Sequence, residues 1–139
     1  MEITANALQA VAANQNIIFT DTAVKGNCSI LTREGSGLIT LRGITDQCRA
    51  RFRITFGANV AIPTDGTVAP ITLAIAINGE AVDSTTMIST PAAVNELNNV
   101  GTSVFLDVPN GCCQSISVRN LSADTINVQN ANLIVERVA

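Results

Sequence analysis

A strict alternation between Cys48 and Phe56 limits the fold of this chain more than any other feature. Apolar and polar residues exchange at each position of this segment. The apolar set is Cys48, Ala50, Phe52, Ile54 and Phe56, and the polar set is Arg49, Arg51, Arg53 and Thr55. Successive side chains of a β-strand point to opposite faces of the sheet, so the pattern predicts a strand with one buried face. We therefore expect the phenylalanines in the core and the arginines outside it.

The same period of two runs through most of the sequence, with turn residues between the segments. Further strands are predicted at 16–21, 29–32, 37–42, 71–77, 84–90, 103–108, 115–119, 125–129 and 132–138. Only 7–13 and 91–97 are compatible with short helices. About eight to ten short strands predict an all-β antiparallel jelly-roll sandwich. We expect residues 1–15 to form an N-terminal arm or first strand and residues 16–139 to form one domain.

The segment 71–77 differs from the others because both of its faces suit burial. Large aliphatic residues form one face, and the small residues Thr72, Ala74 and Ala76 form the other. Such a strand fits either the centre of a core or a contact between subunits. Thr72, Ala74 and Ala76 are therefore candidate residues of an oligomer interface. The turn after it, Asn78-Gly79, is typical of a tight hairpin.

Charge composition bears on the partners. Only 14% of the residues are charged, whereas an ordinary soluble domain has about 25%. The deficit indicates either self-association or a surface that is solvated by Asn, Thr and Ser instead of charged residues. A net charge of −3 does not favour nucleic acid as a partner. No apolar run reaches the ~18 residues that cross a bilayer, so we expect no membrane partner.

The amino terminus lacks the basic and apolar regions of a secretory signal peptide. We therefore expect synthesis in the cytoplasm, followed by a place in a virion or on a spore or cell surface after assembly.

Catalytic chemistry has little support in the sequence. The chain has no histidine, so Ser-His and Cys-His pairs cannot form. Its carboxylates lie near predicted turns and strand ends, where solvent explains them. No Cys-x-x-Cys zinc motif and no acidic calcium loop is present. We expect no enzymatic activity, no cofactor and no metal ion.

The cysteines are Cys28, Cys48, Cys112 and Cys113. Because Cys48 has the parity of the apolar set, it is predicted to be a buried free thiol. In an oxidising setting, Cys28 with Cys112 or Cys113 is a candidate disulfide, within or between protomers.

Three arginines, Arg49, Arg51 and Arg53, form a basic stripe on the polar side of their strand. One interpretation is that acidic residues of a neighbouring strand pair with them. The other is a docking surface for an acidic partner, such as a capsid shell or an anionic glycan, through bidentate contacts.

Several segments resemble the tumour-necrosis-factor-like fold, which includes the globular heads of complement-type collagens. They are Phe52-Arg53-Ile54-Thr55-Phe56-Gly57, residues 71–79 ending in Asn-Gly, and residues 104–111 with Ile116-Ser117-Val118. The resemblance covers residues 16–138 and implies a homotrimer around a threefold axis. The chain departs from the family in having no Tyr or Trp for that axis and no collagen-like stalk.

More narrowly, residues 33–37 and 128–137 are similar to small uncharacterised proteins of Gram-positive anaerobes and their phages. Together these features predict a structural self-assembling protein, such as a phage head decoration, a fibre head or a spore-surface protein. Its expected partners are copies of itself and a capsid or surface layer. The alternative is a trimeric adhesin head that binds a glycan or receptor.

Overall fold

The computed structural model describes the whole chain except the side chain of Cys112. Its strands are β1 Glu2–Ala5, β2 Gln9–Val11, β3 Asp21–Val24, β4 Ile30–Thr32, β5 Ile39–Gly43, β6 Arg49–Ala61, β7 Ile71–Ile77, β8 Glu80–Ala81, β9 Met87–Ser89, β10 Asn98–Pro109, β11 Gly111–Asn120 and β12 Ile126–Arg137. A single 3-10 turn covers Asp83–Thr85. Nowhere in the described part of the chain is a helix long and apolar enough to cross a membrane.

Two antiparallel sheets form a sandwich. Sheet A has the order β10-β6-β12-β1-β3, and β2 also pairs with β12. Sheet B has the order β4-β5-β11-β7-β8, and β9 also pairs with β7. From β9 onward the chain changes sheet at every connection, and strands distant in sequence become neighbours, as in a jelly roll. The predicted all-β antiparallel jelly roll is confirmed.

The core lies between the two sheets and is built from the alternating faces of their strands. On β6, Phe52 and Ile54 have no accessible surface, as the alternation predicts. Leu73 and Ile75 of β7 belong to the same buried cluster on the opposite sheet. Phe56 meets Phe19 edge to face, with ring centroids 6.5 Å apart, a geometry that aromatic quadrupoles favour.

The N-terminal segment and residues 91–97 differ from their helix-compatible patterns. Residues 9–11 form β2, because pairing with β12 satisfies their backbone groups better than one isolated helical turn would. Residues 91–97 form bends and turns. The predicted strand at 16–21 also differs, since regular strand structure begins only at Asp21. There the side chain of Gln9 takes the place of a partner strand: its Nε2 donates to Ile18 O at 2.9 Å, and its Oε1 accepts from Ile18 N at 3.0 Å.

Residues 125–129 and 132–138, predicted as two strands, form the single strand β12. A register shift between Gln129 and Asn132 interrupts its pairing with β6. Asn130 within this bulge has a φ of 55°, a conformation that asparagine tolerates better than most residues. The predicted Asn78-Gly79 turn is confirmed, with φ values of 53° and 85° that suit a tight hairpin.

Candidate assembly face

The polar sides of β10, β6 and β12 form one continuous surface, which we call the outer face. The strand registers arrange it in rows. From one end to the other, the rows are Asp107–Arg51, Phe105–Arg53–Glu136, Ser103–Thr55–Ile134, Gly101–Gly57–Asn132 and Asn99–Asn59–Gln129. Charged groups therefore occupy one end, apolar and small groups the middle, and amides the other end.

At the charged end, the arginine stripe is paired within the chain. Arg51 binds Asp107 through two bonds, Nε to Oδ1 at 2.8 Å and Nη2 to Oδ2 at 3.2 Å. Arg49 Nε lies 3.1 Å from Asp107 Oδ2, and Arg53 pairs with Glu136. The hydrogen bond from Arg51, aided by attraction to both guanidinium groups, lowers the pKa of Asp107 below its ordinary value. The same bond raises the pKa of Arg51.

These ion pairs bear on the two interpretations of the stripe. Its three guanidinium groups face two carboxylates on the neighbouring strands. Only one net positive charge remains, which is a weak attraction for an acidic partner. The pairing favours the first interpretation, in which neighbouring strands supply the counter-ions.

In the middle of the outer face, Phe105 stands out from the surface. Its side chain is 62% exposed, whereas its neighbours Val104 and Leu106 pack partly against the core. Ile134 is 37% exposed and lies one row further along, on the other side of Thr55. A large exposed phenyl ring on a face that also carries a second, partly exposed apolar side chain favours contact with another apolar surface.

Next to this apolar part, Gly57 and Gly101 lie opposite each other on adjacent strands. Neither has a positive φ, but a Cβ on Gly101 would lie only 3.1 Å from Phe56 O, so close strand packing favours glycine at that position. The nearest atom to a Cβ placed on Gly57 is Val100 O, at 3.9 Å. The two glycines therefore leave a shallow recess, which we call the glycine recess, where a partner could approach the backbone closely.

A row of amides follows the glycine recess. Asn99 Nδ2 donates to Asn59 Oδ1 at 3.2 Å, and Asn59 Nδ2 donates to Asn130 Oδ1 at 3.3 Å. The chain of hydrogen bonds crosses three adjacent strands, β10, β6 and β12. It holds exposed amide groups in a fixed arrangement.

The candidate interface on β7 lies elsewhere and is closed within the chain. Ala74 and Ala76 are both 0% exposed, so they have no surface left to bury against a partner. Arg119, which pairs with Ala74 in register, reaches the turn after β7 and donates from Nη1 to Gly79 O at 2.7 Å. Thr72 keeps partial exposure. The assignment of both alanines to a subunit contact is therefore corrected: they belong to the interior of one chain.

The cysteines also differ from expectation. Cys48 is free and exposed, not buried. The reason is that β6 begins at Arg49 and Cys48 lies in the preceding bend, where strand parity does not apply. Cys28 is free and exposed as well, so the candidate bridge from Cys28 is not formed within this chain. Cys113 is disulfide-bonded, and the side chain of Cys112 lies outside the described residues.

Cavities lie at the ends of the sandwich. One of about 650 Å³ is lined by Gly43, Ile44, Thr45, Asp46, Gln47, Asn110, Gly111 and Arg137. Another of about 460 Å³ contains Asp65 and Asp124 among small polar residues. In the part of the chain that the structure describes, no group of three or more His, Cys, Asp and Glu side chains could hold a metal ion.

Comparison with known proteins identifies the fold. No model of a protein family matches the sequence, and no curated protein matches it. Among solved structures, the globular domain of zebrafish complement 1qA protein has a TM-score of 0.64 at 11% identity, over 96% of this chain and 93% of that one. Murine APRIL at pH 5.0 has a TM-score of 0.60 at 7% identity, over 97% of both chains.

These likenesses establish the chain as an all-β jelly roll of the tumour-necrosis-factor and complement C1q type. The resemblance inferred from sequence is thus confirmed for the fold. The narrower likeness to proteins of Gram-positive anaerobes and their phages stays a prediction.

Sequence reasoning did not single out Phe105, Ile134 or the glycine recess. A signal was present in β10, where Val104, Leu106 and Val108 have core parity and Phe105 has the parity of Ser103 and Asp107. A phenylalanine on the polar side of an alternating strand indicates an apolar group directed away from the core.

Proposed function

We propose that this chain is a non-enzymatic, self-assembling structural domain whose copies associate through the outer face into a homotrimer. The observation that carries the proposal is the presence of two different features on one face. Phe105 projects from it, and the glycine recess lies two rows away. A projection and a recess on the same surface allow each copy to contact the next.

Such a contact is heterologous, because one patch of the first copy meets a different patch of the second. Heterologous contacts close into rings when the rotation between copies divides a full turn. The number three comes from the resemblance to the tumour-necrosis-factor-like fold. Removing a phenyl ring from water contributes about 1.5–3 kcal/mol, and a ring of three copies repeats that gain at each contact.

The charged end of the outer face is compatible with burial in an assembly. Arg51 and Asp107 already satisfy each other through two hydrogen bonds. A partner that covers Arg51 and Asp107 therefore leaves neither of these two charges isolated, and the surplus positive charge of the stripe must stay in water. The low fraction of charged residues, 14%, also supports burial of part of the surface in an assembly.

The proposed setting is a particle: a phage virion, as a head decoration or fibre head, or a spore surface. Low surface charge and the proposed assembly support a structural role there, and a capsid or surface layer is the proposed further partner. Mass spectrometry of purified virions and spores from the source organism tests this. Recovery of the chain at stoichiometric amounts in either supports the setting, and its absence from both contradicts it.

Gly57→Leu tests the assembly itself. A Cβ at position 57 meets no atom closer than Val100 O, at 3.9 Å, so the variant should fold. It fills the glycine recess, so the sedimentation mass should fall from three times 14.5 kDa to 14.5 kDa. Thr40→Leu, on the outer side of sheet B, is the matched control and should keep the wild-type mass. A Gly57→Leu trimer would exclude the recess as a contact.

The amide row supports one alternative, an adhesin head that binds a glycan. Fixed amide groups such as Asn59 and Asn99 can exchange hydrogen bonds with sugar hydroxyls. A glycan array tests it: binding by wild type that Asn59→Ala abolishes and Asn6→Ala preserves would favour this function. An array without binding, together with a trimer mass, would exclude it.

A further inference from the structure

Strand β10 forms a long free edge of sheet A. In the described chain, the strands that pair with only one other strand are β2, β3, β4, β8, β9 and β10. β10 has 12 residues, whereas the longest of the others, β3, has 4. Proteins usually keep edge strands short or place charges and proline on them, because unpaired backbone groups are a template for another strand. Residues 98–106 contain neither a charge nor a proline, so most of this edge is unprotected.

The hydrogen bonds of β6 show which backbone groups of β10 point to the free side. Arg51 uses both of its backbone groups on the side of β12: its N–H donates to Ala139 O at 3.2 Å, and its carbonyl accepts from Val138 N at 2.9 Å. Arg51 and Asp107, which are register partners, therefore form a non-hydrogen-bonded pair. In such a pair, the N–H and C=O of Asp107 point away from β6.

The regular alternation of an antiparallel ladder extends this orientation along β10. Asn110, just beyond the strand and of the other parity, donates its N–H to Cys48 O at 3.0 Å on the side of β6, as the alternation requires. The residues that direct their backbone groups to the free side are therefore Asn99, Gly101, Ser103, Phe105 and Asp107. Within the described part of the chain, no backbone or side-chain group bonds to these free groups.

The neighbouring strand of sheet B does not occupy this edge. A cavity of about 250 Å³ lies between β9 and the start of β10 and is lined by residues 86–88 and 99–101. No hydrogen bond joins these two segments among the residues that the structure describes. The start of the edge thus stays unpaired, as does the rest of it.

The core below the edge is only partly covered. Val104 and Leu106 have core parity and pack against the buried cluster, yet both keep partial exposure. On the adjacent strand, Phe52 and Ile54 have no accessible surface. A further strand on the free side of β10, with apolar side chains at alternate positions, would remove the remaining surface of Val104 and Leu106 from water.

We propose that the free edge of β10 binds an extended peptide, which adds to sheet A as one more antiparallel strand. The row of unpaired N–H and C=O groups matches another extended backbone, and antiparallel pairing is slightly the more stable kind per residue. The partly covered Val104 and Leu106 match apolar residues at every second position of the peptide. In strand addition, the backbone bonds supply affinity and the alternate side chains supply specificity.

A peptide of another sequence fits this edge better than the β10 of a second copy. The core-parity side of β10 includes the polar Thr102, and Gly101 has no side chain to pack. The site also differs from the outer face, because its binding groups are backbone groups that point along the sheet. The side chains of the outer face point out of it.

The test uses the purified full chain and a synthetic probe peptide, lysine-valine-threonine-valine-threonine-valine-lysine, with a fluorescent label and blocked ends. Fluorescence anisotropy should show that wild type binds it. When the valines cover Val104 and Leu106, the threonines share the parity of Ser103 and Phe105. The threonine N–H groups then point to β10 and the valine N–H groups to solvent. N-methylation of the threonines should therefore abolish binding, and N-methylation of the valines should preserve it.

A pair of variants tests the edge from the side of the protein. Ser103→Pro removes a free N–H but no bond to β6, and proline is tolerated where its nitrogen faces the free side. Circular dichroism checks that the variant folds. Ser103→Ala is the matched control, because it also loses the 3.1 Å hydrogen bond between the hydroxyls of Ser103 and Thr55 but keeps the N–H. The probe should bind Ser103→Ala and should not bind Ser103→Pro.

Amide hydrogen exchange, followed by NMR, locates the bound peptide. In the free chain, the amides of Ser103 and Phe105 should exchange faster than that of Val104, and the probe should slow only the first two. Absence of binding by wild type would overturn the proposal, and equal binding of the two N-methylated probes would exclude strand addition. The reverse preference would exclude the antiparallel geometry. Slow exchange of Ser103 and Phe105 without the probe would show that another copy covers the edge, and would overturn the assignment to a peptide.

Discussion

Strands β6 and β7 each lie inside a sheet, yet they offer very different surfaces to a partner. β7 is apolar on both sides, and Ala74 and Ala76 are fully closed within the chain. β6 is apolar on one side, and its other side keeps partial or full exposure from Arg49 to Asn59. The difference shows that apolar residues on both faces of a strand indicate burial in its own chain. The proposed surface for a partner lies on the strand with the polar side.

The two strands differ in the accessible apolar area that each can still remove from water. A side chain without accessible surface gains nothing from association, since no further area can be removed from water. On the open side of β6, the neighbouring strands add Phe105 and Ile134 to a background of paired charges and glycines. That surface can still lose apolar area.

Ala74→Arg should have the largest effect, because it places an unpaired charge where the side chain has no space. Burial of an isolated charge is too costly for a small domain to tolerate. The variant should be insoluble or unfolded by circular dichroism. Thr72→Arg, at the partly exposed position of the same side, should fold. If Ala74→Arg were soluble and monomeric, the result would support β7 as a subunit contact.

Phe52→Ala should be next, with a loss of about 3–5 kcal/mol in the free energy of unfolding, the range for buried aromatic residues. Phe52 is 0% exposed on the closed side of β6. Urea denaturation measures the loss. Its matched control is Arg53→Ala on the open side, which should change stability far less. Similar losses for both would mean that the two sides of β6 are misassigned.

Two amides sharpen the contrast between closed and open positions. Asn120 is 0% exposed, and its Nδ2 donates to Val11 O, Ala12 O and Asp124 O. Asn120→Ala should cost about 1–3 kcal/mol, because it removes the donor of the buried Val11 carbonyl and of two partly buried carbonyls. Asn59→Ala, in the exposed amide row, should have a much smaller effect in the same denaturation experiment. An equal cost for the two variants would contradict the burial that we describe.

Asp107→Asn should have the smallest effect on the free energy of unfolding. The pH dependence of that effect identifies the ion pair with Arg51 as its cause. Hydrogen bonding to Arg51 holds the pKa of Asp107 below its ordinary value of 3.8. The stabilisation is therefore fully present above pH 3.8 and is lost as the pH falls through the lower folded pKa. Wild type should be slightly more stable than Asp107→Asn at neutral pH, and the difference should shrink in acid. A pH-independent difference would exclude the ion pair as its cause.

Local pattern predicted much of this fold, and long-range contacts decided the rest. Alternation placed Phe52, Ile54 and Phe56 in the core because side-chain parity is a property of the strand alone. It could not place Cys48, because the start of a strand depends on the partner that pairs with it. Nor could it show that β11 and Arg119 enclose Ala74, since those residues are distant in sequence.

The candidate site was harder to predict than the fold. Asp107 and Glu136 become counter-ions of the arginine stripe only through the pairing of β6 with β10 and β12. The glycine recess likewise exists only because register sets Gly57 opposite Gly101. Each residue is ordinary in sequence, and their combination depends on the topology.

A pair of arginine variants tests most directly whether the outer face is the assembly surface. Phe105→Arg places a charge on the outer face, and Ile88→Arg places one on the outer side of sheet B, at residues of similar exposure, 62% and 65%. Both should fold, since neither side chain is in the core. By light scattering, Ile88→Arg should keep three times the chain mass of 14.5 kDa, and Phe105→Arg should have the mass of one chain. A trimer in Phe105→Arg, or a single-chain mass in wild type, would contradict the proposed assembly.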